Sequence, residues 1–232
     1  MQQTPQAEFD PFSKNYNQQV NAAISFSGLS VDFFTKVKAD YIDQLISEHF
    51  DHGSPVDILD VGCGVGNTMS LLVRKTGRLA GVDVSGACIA TATENMPEVE
   101  FAAYDGVHLP HPDASFDLAF SICVFHHVAL ADRDALVHDI RRVLRPGGIF
   151  AIFEHNPLNP LTMHIVNSCE FDKNAILLRK KDAESLMRNA GFREVVSRFI
   201  LTIPAAGPLL HQVDRIFSRL PIGAQYYTVG RV

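Results

Sequence analysis

Apolar residues along this chain follow two rhythms. From Asn15 to Phe50 they recur at three- and four-residue steps, most regularly in "FFTKVKADYIDQLISEHF". There Phe33, Phe34, Val37, Tyr41, Leu45 and Ile46 share one face of a predicted helix. "DHGSP" breaks that pattern. Beyond it, short apolar runs alternate with helical stretches. "VDILDVG" predicts a buried strand, "NTMSLLVRKTG" a helix closed by Gly77, "LAGVDVS" a second strand, and "GACIATATENMP" a helix stopped by Pro97. "VEFAAYDG" and "FDLAFSICVF" follow as strands, then the helix "DRDALVHDIRRVLRPGG" and the strand "IFAIFEHN". Strands alternating with helices predict a doubly wound parallel sheet covered on both faces.

The last third is less regular. "KDAESLMRNAGF" predicts a helix ending at Gly191, and "REVVSRFILTIP" and "AQYYTVGRV" two more strands. Between those strands, "GPLLHQVDRIFSRLP" predicts an amphipathic helix with Leu209, Leu210, Val213, Ile216, Phe217 and Leu220 on its apolar side. Residues 1–12 are polar and contain proline, which predicts a loose arm. The expected organisation is an N-terminal helical cap over 1–50 and an α/β core over 51–232, with a helical insertion near 205–221, all within one structural domain.

Composition narrows the classes. At 232 residues, with 47% apolar and 20% charged positions, the chain has the makeup of an ordinary soluble domain. Its net charge of −6 argues against a nucleic-acid partner, whose binding rests on a basic field. Cys63, Cys88, Cys123 and Cys169 are scattered without a CxxC pair, as core residues are in a reducing compartment. The start "MQQTPQAEFDPF" lacks the basic and apolar regions of a secretion signal. No apolar run is long enough to span a bilayer, so no stable membrane insertion is expected. A cytoplasmic protein, monomeric or homodimeric, is the resulting expectation.

The chemistry starts at "ILDVGCGVG". Gly62, Gly64 and Gly66 alternate after the first strand, whereas a dinucleotide loop wants a glycine at position 67, which is Asn. Asp60, just before them, suits an ammonium better than a pyrophosphate. Asp83, about twenty positions on at the end of the second strand, can accept from both hydroxyls of a ribose. Asp105, ending the third strand, can accept from an adenine amino group. Three carboxylates at successive strand ends favour a ligand with adenosine and an amino-acid tail over one carrying phosphates.

With "ILDVGCGVG", "GVDVS", "YDG", "FDLAFSICVFHHV" and "LRPGG" in this order, residues 55–155 resemble the class I S-adenosylmethionine-dependent methyltransferases. That resemblance implies a seven-stranded sheet with its last strand antiparallel. It also implies that Asp60, Gly62, Cys63, Gly64 and Gly66 hold the methionine part, Asp83 with Val84 the ribose, and Asp105 with Gly106 the adenine. Ile122 matches a position lying against the cofactor. "EHNPLNP" and "LPIGAQY" are similar to a bacterial subgroup of these enzymes.

Methyl transfer from a sulfonium asks mainly for alignment and exclusion of water, with a base where the acceptor carries a proton. His126 and His127 leave the fourth strand and His155 the fifth, on the edge where ligands bind, so they are the candidate bases. Asn156, in a loop stiffened by two prolines, is a candidate substrate contact. Tyr16, Phe26, Phe33 and Phe34 are the expected lid, and Lys38 is placed to meet the cofactor carboxylate. No metal site is expected, because no carboxylate cluster stands apart from the cofactor aspartates. The expected reaction moves a methyl group to oxygen or nitrogen of a small-molecule acceptor, with sugar-containing or lipid-linked metabolites as candidates. A NAD-dependent oxidoreductase and a non-catalytic S-adenosylmethionine-binding protein are the alternatives.

Overall fold

The computed structural model describes residues 21, 29–51, 53–72, 77–169, 172, 175–205 and 207–232. The arm over 1–12 and the start of the N-terminal helical pattern, with Tyr16 and Phe26, lie outside the described residues.

Seven strands form one sheet: β1 (Ile58–Val61), β2 (Leu79–Asp83), β3 (Glu100–Ala103), β4 (Phe116–Ile122), β5 (Leu144–His155), β6 (Arg193–Ile200) and β7 (Gln225–Arg231). Their order is β3-β2-β1-β4-β5-β7-β6. β7 runs antiparallel to β5 and β6, and every other pair is parallel. Because β2 lies on one side of β1 and β4 on the other, the winding reverses there. A crevice opens at the carboxyl ends of those two strands.

The helices are α1 (Val31–His49), α2 (Met69–Leu72), α3 (Gly86–Asn95), α4 (Arg133–Val143), α5 (Pro160–Ser168), α6 (Lys180–Asn189) and α7 (Pro208–Phe217). Caps set several of their starts. Ser30 accepts from the Phe33 N–H, Ser85 from Cys88, and Asn159 from both Leu161 and Thr162, with Pro160 in the first turn where its missing N–H costs nothing.

Strand periodicity divides the core in two. Ile58, Leu118, Phe120, Ile149, Ala151 and Phe153 face one side, where Val37, Ile42 and Leu45 of α1 cover them. Leu59, Val61, Ala119, Phe150 and Ile152 face the other, under Leu136 and Ile140 of α4 and Met187 of α6. Burying each such side chain contributes about 2 kcal/mol, so both layers are integral to the fold. α1 is therefore a layer of the domain as well as a roof over the crevice.

Two elements depart from the sequence pattern. "LRPGG" reads as the end of a helix, yet α4 stops at Val143 and Leu144 already pairs with Phe116. The register then skips to Leu118 opposite Ile149. Pro146 has no N–H for a ladder and Gly147 sits at φ +83°, so the segment bulges. Arg145 uses the room to bridge Asp117 at 2.7 Å and Asp57 at 2.9 Å.

α7 differs more. Of its expected apolar face only Leu210 is fully buried, while Leu209 and Ile216 are exposed, Ile216 to 73%. The inward residue is Asp214, 2% exposed, which accepts from the backbone N–H groups of Leu201 and Thr202 at 2.8 Å and from the Tyr41 hydroxyl of α1. Leu201 takes the left-handed φ of +58°, so the turn after β6 is held by this carboxylate. A buried anion with three donors fixes the rotation of α7 against the pull of its apolar stripe.

Asp214→Ala leaves three buried donors without an acceptor. It is expected to lower the unfolding free energy by about 3 kcal/mol, measured by urea denaturation. A loss within experimental error of zero would show that α7 is held by its apolar contacts.

Candidate active site

The turn after β1 is sewn to β2. The N–H groups of Gly62 and Cys63 both donate to the Val82 carbonyl, at 2.7 and 3.0 Å, and Gly64 donates to Asp83 Oδ2 at 2.8 Å. The glycines serve different ends. A Cβ at Gly62 (φ +82°) would lie 2.4 Å from Val124 Cγ2, so glycine lets the turn pass beneath the loop after β4. At Gly66 (φ +82°) it would lie 2.3 Å from Met96 Cε, beyond α3 and away from the crevice. Gly62, Cys63 and Gly64 line a cavity of about 830 Å3, whereas Gly66 does not. At Gly66 the requirement for glycine therefore comes from packing against Met96.

Asp60, Asp83, Val84, Asp105, Gly106, Ile122, Lys38, His126, His127 and His155 all line this cavity, together with Tyr104, Cys88, Val124, Asn159, Asp172 and Gln225. Tyr16 lies outside the described residues. The three aspartates, drawn alike from the sequence, are in three different states. Asp60 is 3% exposed and has no hydrogen bond to any described residue; burial, and then the charge of Asp83, push its carboxyl well above the usual range. Asp83 accepts from Gly64 with one oxygen and from the Ser85 N–H, at 2.8 Å, with the other, so it holds the loop. Asp105 spends its oxygens locally, on the N–H groups of Val107 and His108 and on His108 Nδ1 at 2.8 Å. These bonds hold its carboxyl down at about 2. These bonds also shape the loop that presents Gly106.

Lys38 is buried beside the Phe34 ring and makes no ion pair with a described residue. Burial lowers its pKa, opposed by the charges of Cys123 and Glu154. The carboxylate acting on it is thus at the histidine end of the cavity.

The histidines do not form three equivalent bases. His126 donates from Nδ1 to Glu154 Oε2 at 2.6 Å, and its Nε2 lies 3.4 Å from Asp172 Oδ1. Burial would lower its pKa, but Glu154 and Asp172 outweigh that and raise it well above the ordinary value. With only the protein's own groups around it, His126 is an imidazolium and cannot take a proton. Burial, and then His126, press His127 and His155 down to about 4, so both are neutral at physiological pH. His127 Nε2 is also 3.4 Å from Asp172 Oδ1. Asn156 points elsewhere: its amide donates to the carbonyls of Pro221 and Gly223 and its oxygen accepts from Leu158, closing one loop onto another. Asp172 and Gln225 carried no sequence signal, since Asp172 sits in an irregular stretch and Gln225 opens an ordinary strand.

Gln225 Oε1 and Thr202 Oγ1 are buried in the cavity wall without a hydrogen-bond partner among the described residues.

Comparison with known proteins shows the family. Residues 59–152 match the family model described as a methyltransferase domain. An uncharacterised methyltransferase of Synechocystis sp. is 30% identical over 142 residues, which cover 60% of this chain and 67% of that protein. The methyltransferase GfsG of Streptomyces halstedii is 36% identical over 130 residues, covering 53% of this chain but 46% of the relative. Against the first two curated relatives, the match spans only 46% and 59% of their length. Among solved structures, a methyltransferase of Thermotoga maritima described as a possible histamine N-methyltransferase superposes with a TM-score of 0.69. It is 19% identical and covers 98% of this chain and 99% of that one, which shows the shared fold.

The Asp105 turn should be visible by titration. Its depressed pKa means that its contribution to stability is present above the ordinary carboxyl range and is lost as pH falls through about 2. The thermal midpoint of the native chain should therefore fall more steeply between pH 4 and 2 than that of Asp105→Asn. Equal slopes would show that the turn does not depend on the charge.

Proposed function

This chain belongs to the S-adenosylmethionine-dependent methyltransferases, and on that premise we propose that it methylates an oxygen or nitrogen of a small-molecule acceptor bound beside His155. The observation carrying this reading is the pairing, in one cavity, of an unpartnered buried carboxylate at Asp60 with neutral imidazoles at the opposite end. The first suits the cofactor's ammonium, and the second suits an acceptor that must lose a proton.

S-adenosylmethionine supplies a methyl group on a sulfonium, whose sulfur keeps the bonding electron pair as the methyl leaves. The protein's task is positional. Asp60 binds the ammonium, Asp83 the ribose hydroxyls, and the turn from Gly62 to Gly64 brings the backbone close. Ile122 and Val84 pack against the cofactor, while Phe33 and Phe34 of α1 exclude water from above. An acceptor hydroxyl or amine placed near His155 gives its proton to the neutral imidazole as its lone pair forms the bond to the methyl carbon. Val31, Ile165, Ile176 and Ile203 line the same cavity and suit an acceptor with an apolar body and a polar reacting group.

Calorimetric titration with S-adenosylhomocysteine and with NAD tests the cofactor. S-adenosylhomocysteine should bind, and Asp60→Ala should weaken it tenfold or more, while NAD gives no heat. Binding of NAD alone would reverse the assignment. For the acceptor, a panel of hydroxyl and amine compounds should support release of S-adenosylhomocysteine. His155→Ala should then cut kcat by about 100-fold or more with cofactor affinity unchanged. An unchanged kcat would leave alignment alone as the catalytic device.

A further inference from the structure

The linear sequence predicts no metal site, but the fold gathers a donor set that the chain order conceals. His126 and His127 come from the exit of β4 and Asp172 from the segment after α5. Their donor atoms, His126 Nε2, His127 Nε2 and Asp172 Oδ1, all lie within 4.8 Å of one another, and all three residues face the cavity.

Distance decides between a hydrogen-bonded cluster and a metal site. A charge-assisted N–H···O bond is about 2.7–2.9 Å long, and His126 reaches Glu154 at 2.6 Å. Both nitrogens facing Asp172 Oδ1 stand off at 3.4 Å instead. Tetrahedral zinc, with ligands at about 2.0–2.2 Å, holds its donor atoms about 3.3–3.5 Å apart. The two separations to Asp172 match those between ligands of one ion, and the two histidine donors lie within 4.8 Å of each other.

The second shell is also in place. Glu154, 0% exposed, takes the Nδ1–H of His126 and turns Nε2 toward the cavity, as a carboxylate behind a metal-bound histidine does. Glu154 and Asp172 thus place two carboxyl groups against the same pair of imidazoles.

We infer that His126, His127 and Asp172 bind a divalent first-row transition-metal ion of the zinc type, with a fourth position open to the cavity. Two imidazoles and one carboxylate suit zinc, iron or cobalt rather than magnesium or calcium. The open position takes an oxygen or nitrogen of the acceptor, fixing its orientation and making it more acidic. The inference rests on the cavity being the methylation site proposed above, but the metal itself can be measured without turnover.

The full chain, freed of metal with chelator, is titrated with zinc by calorimetry and with cobalt by visible absorption. The expected result is one ion per chain and the intense visible bands of four-coordinate cobalt. Affinity should fall tenfold or more in His127→Ala, whose side chain is partly exposed, and in Glu154→Gln, which keeps the packing but weakens the support behind His126. Bound zinc should raise the thermal midpoint of the native chain and not of His127→Ala. Absence of the cobalt bands in the native chain at millimolar cobalt overturns the inference, whatever the variants do. Zinc binding unchanged in His127→Ala overturns it as well. S-adenosylhomocysteine is titrated into the same samples: binding of it without metal sinks the metal site alone, whereas metal binding without it sinks the methyltransferase reading and leaves the metal site standing.

Discussion

The two oxygens of Asp83 hold together the parts from which the site is made. One takes the N–H of Gly64 in the turn after β1, and the other takes Ser85, whose side chain caps α3. With Val82 receiving Gly62 and Cys63, the turn is fastened to β2 along its length. That seam sets the height at which the backbone meets a ligand and places a second negative charge near Asp60. A residue suited to ribose hydroxyls is thus also the clasp of the loop, so binding and architecture share one carboxylate.

Around that seam the cavity holds buried ionisable groups that burial pushes toward their neutral forms. Asp60 lacks a donor and Lys38 lacks an ion pair among the described residues. In a cavity of this size such groups cost stability unless a ligand answers them. The far end works in the opposite sense: Glu154 and Asp172 keep His126 charged, and His126 in turn keeps its two neighbouring histidines neutral. Without a bound ion, the proton on His126 balances the charge of these carboxylates.

The roof over this cavity is anchored from a distance. Asp214 joins α7, the turn after β6 and Tyr41 of α1, so the helix that lines the crevice is tied to the antiparallel edge of the sheet. The exposed Leu209 and Ile216 follow from the same anchor, since a buried carboxylate with three donors outweighs the burial of one or two further leucine-sized side chains.

Much was legible in the chain order. Short apolar runs such as "ILDV" and "FDLAFSI", helical periodicity in α1 and α4, and glycines directly after a strand are local properties, and they were enough for the parallel sheet, its helical layers and the aspartates at successive strand ends. Local pattern could not tell which aspartate was free, because the bonds that occupy Asp83 and Asp105 depend on where neighbouring N–H groups point after folding. Nor could it show that Gly66 packs on Met96, or that "LRPGG" bulges so that Arg145 reaches Asp57. The meeting of His126 with Glu154 and Asp172 was hidden for the same reason: 28 and 46 positions separate those partners, and only the sheet and the segment after α5 close the gap. Sequence by itself determined the fold and the kind of ligand, since backbone periodicity and glycine placement act over a few residues. Tertiary structure alone decided the protonation and role of each side chain, since burial and charge act through space.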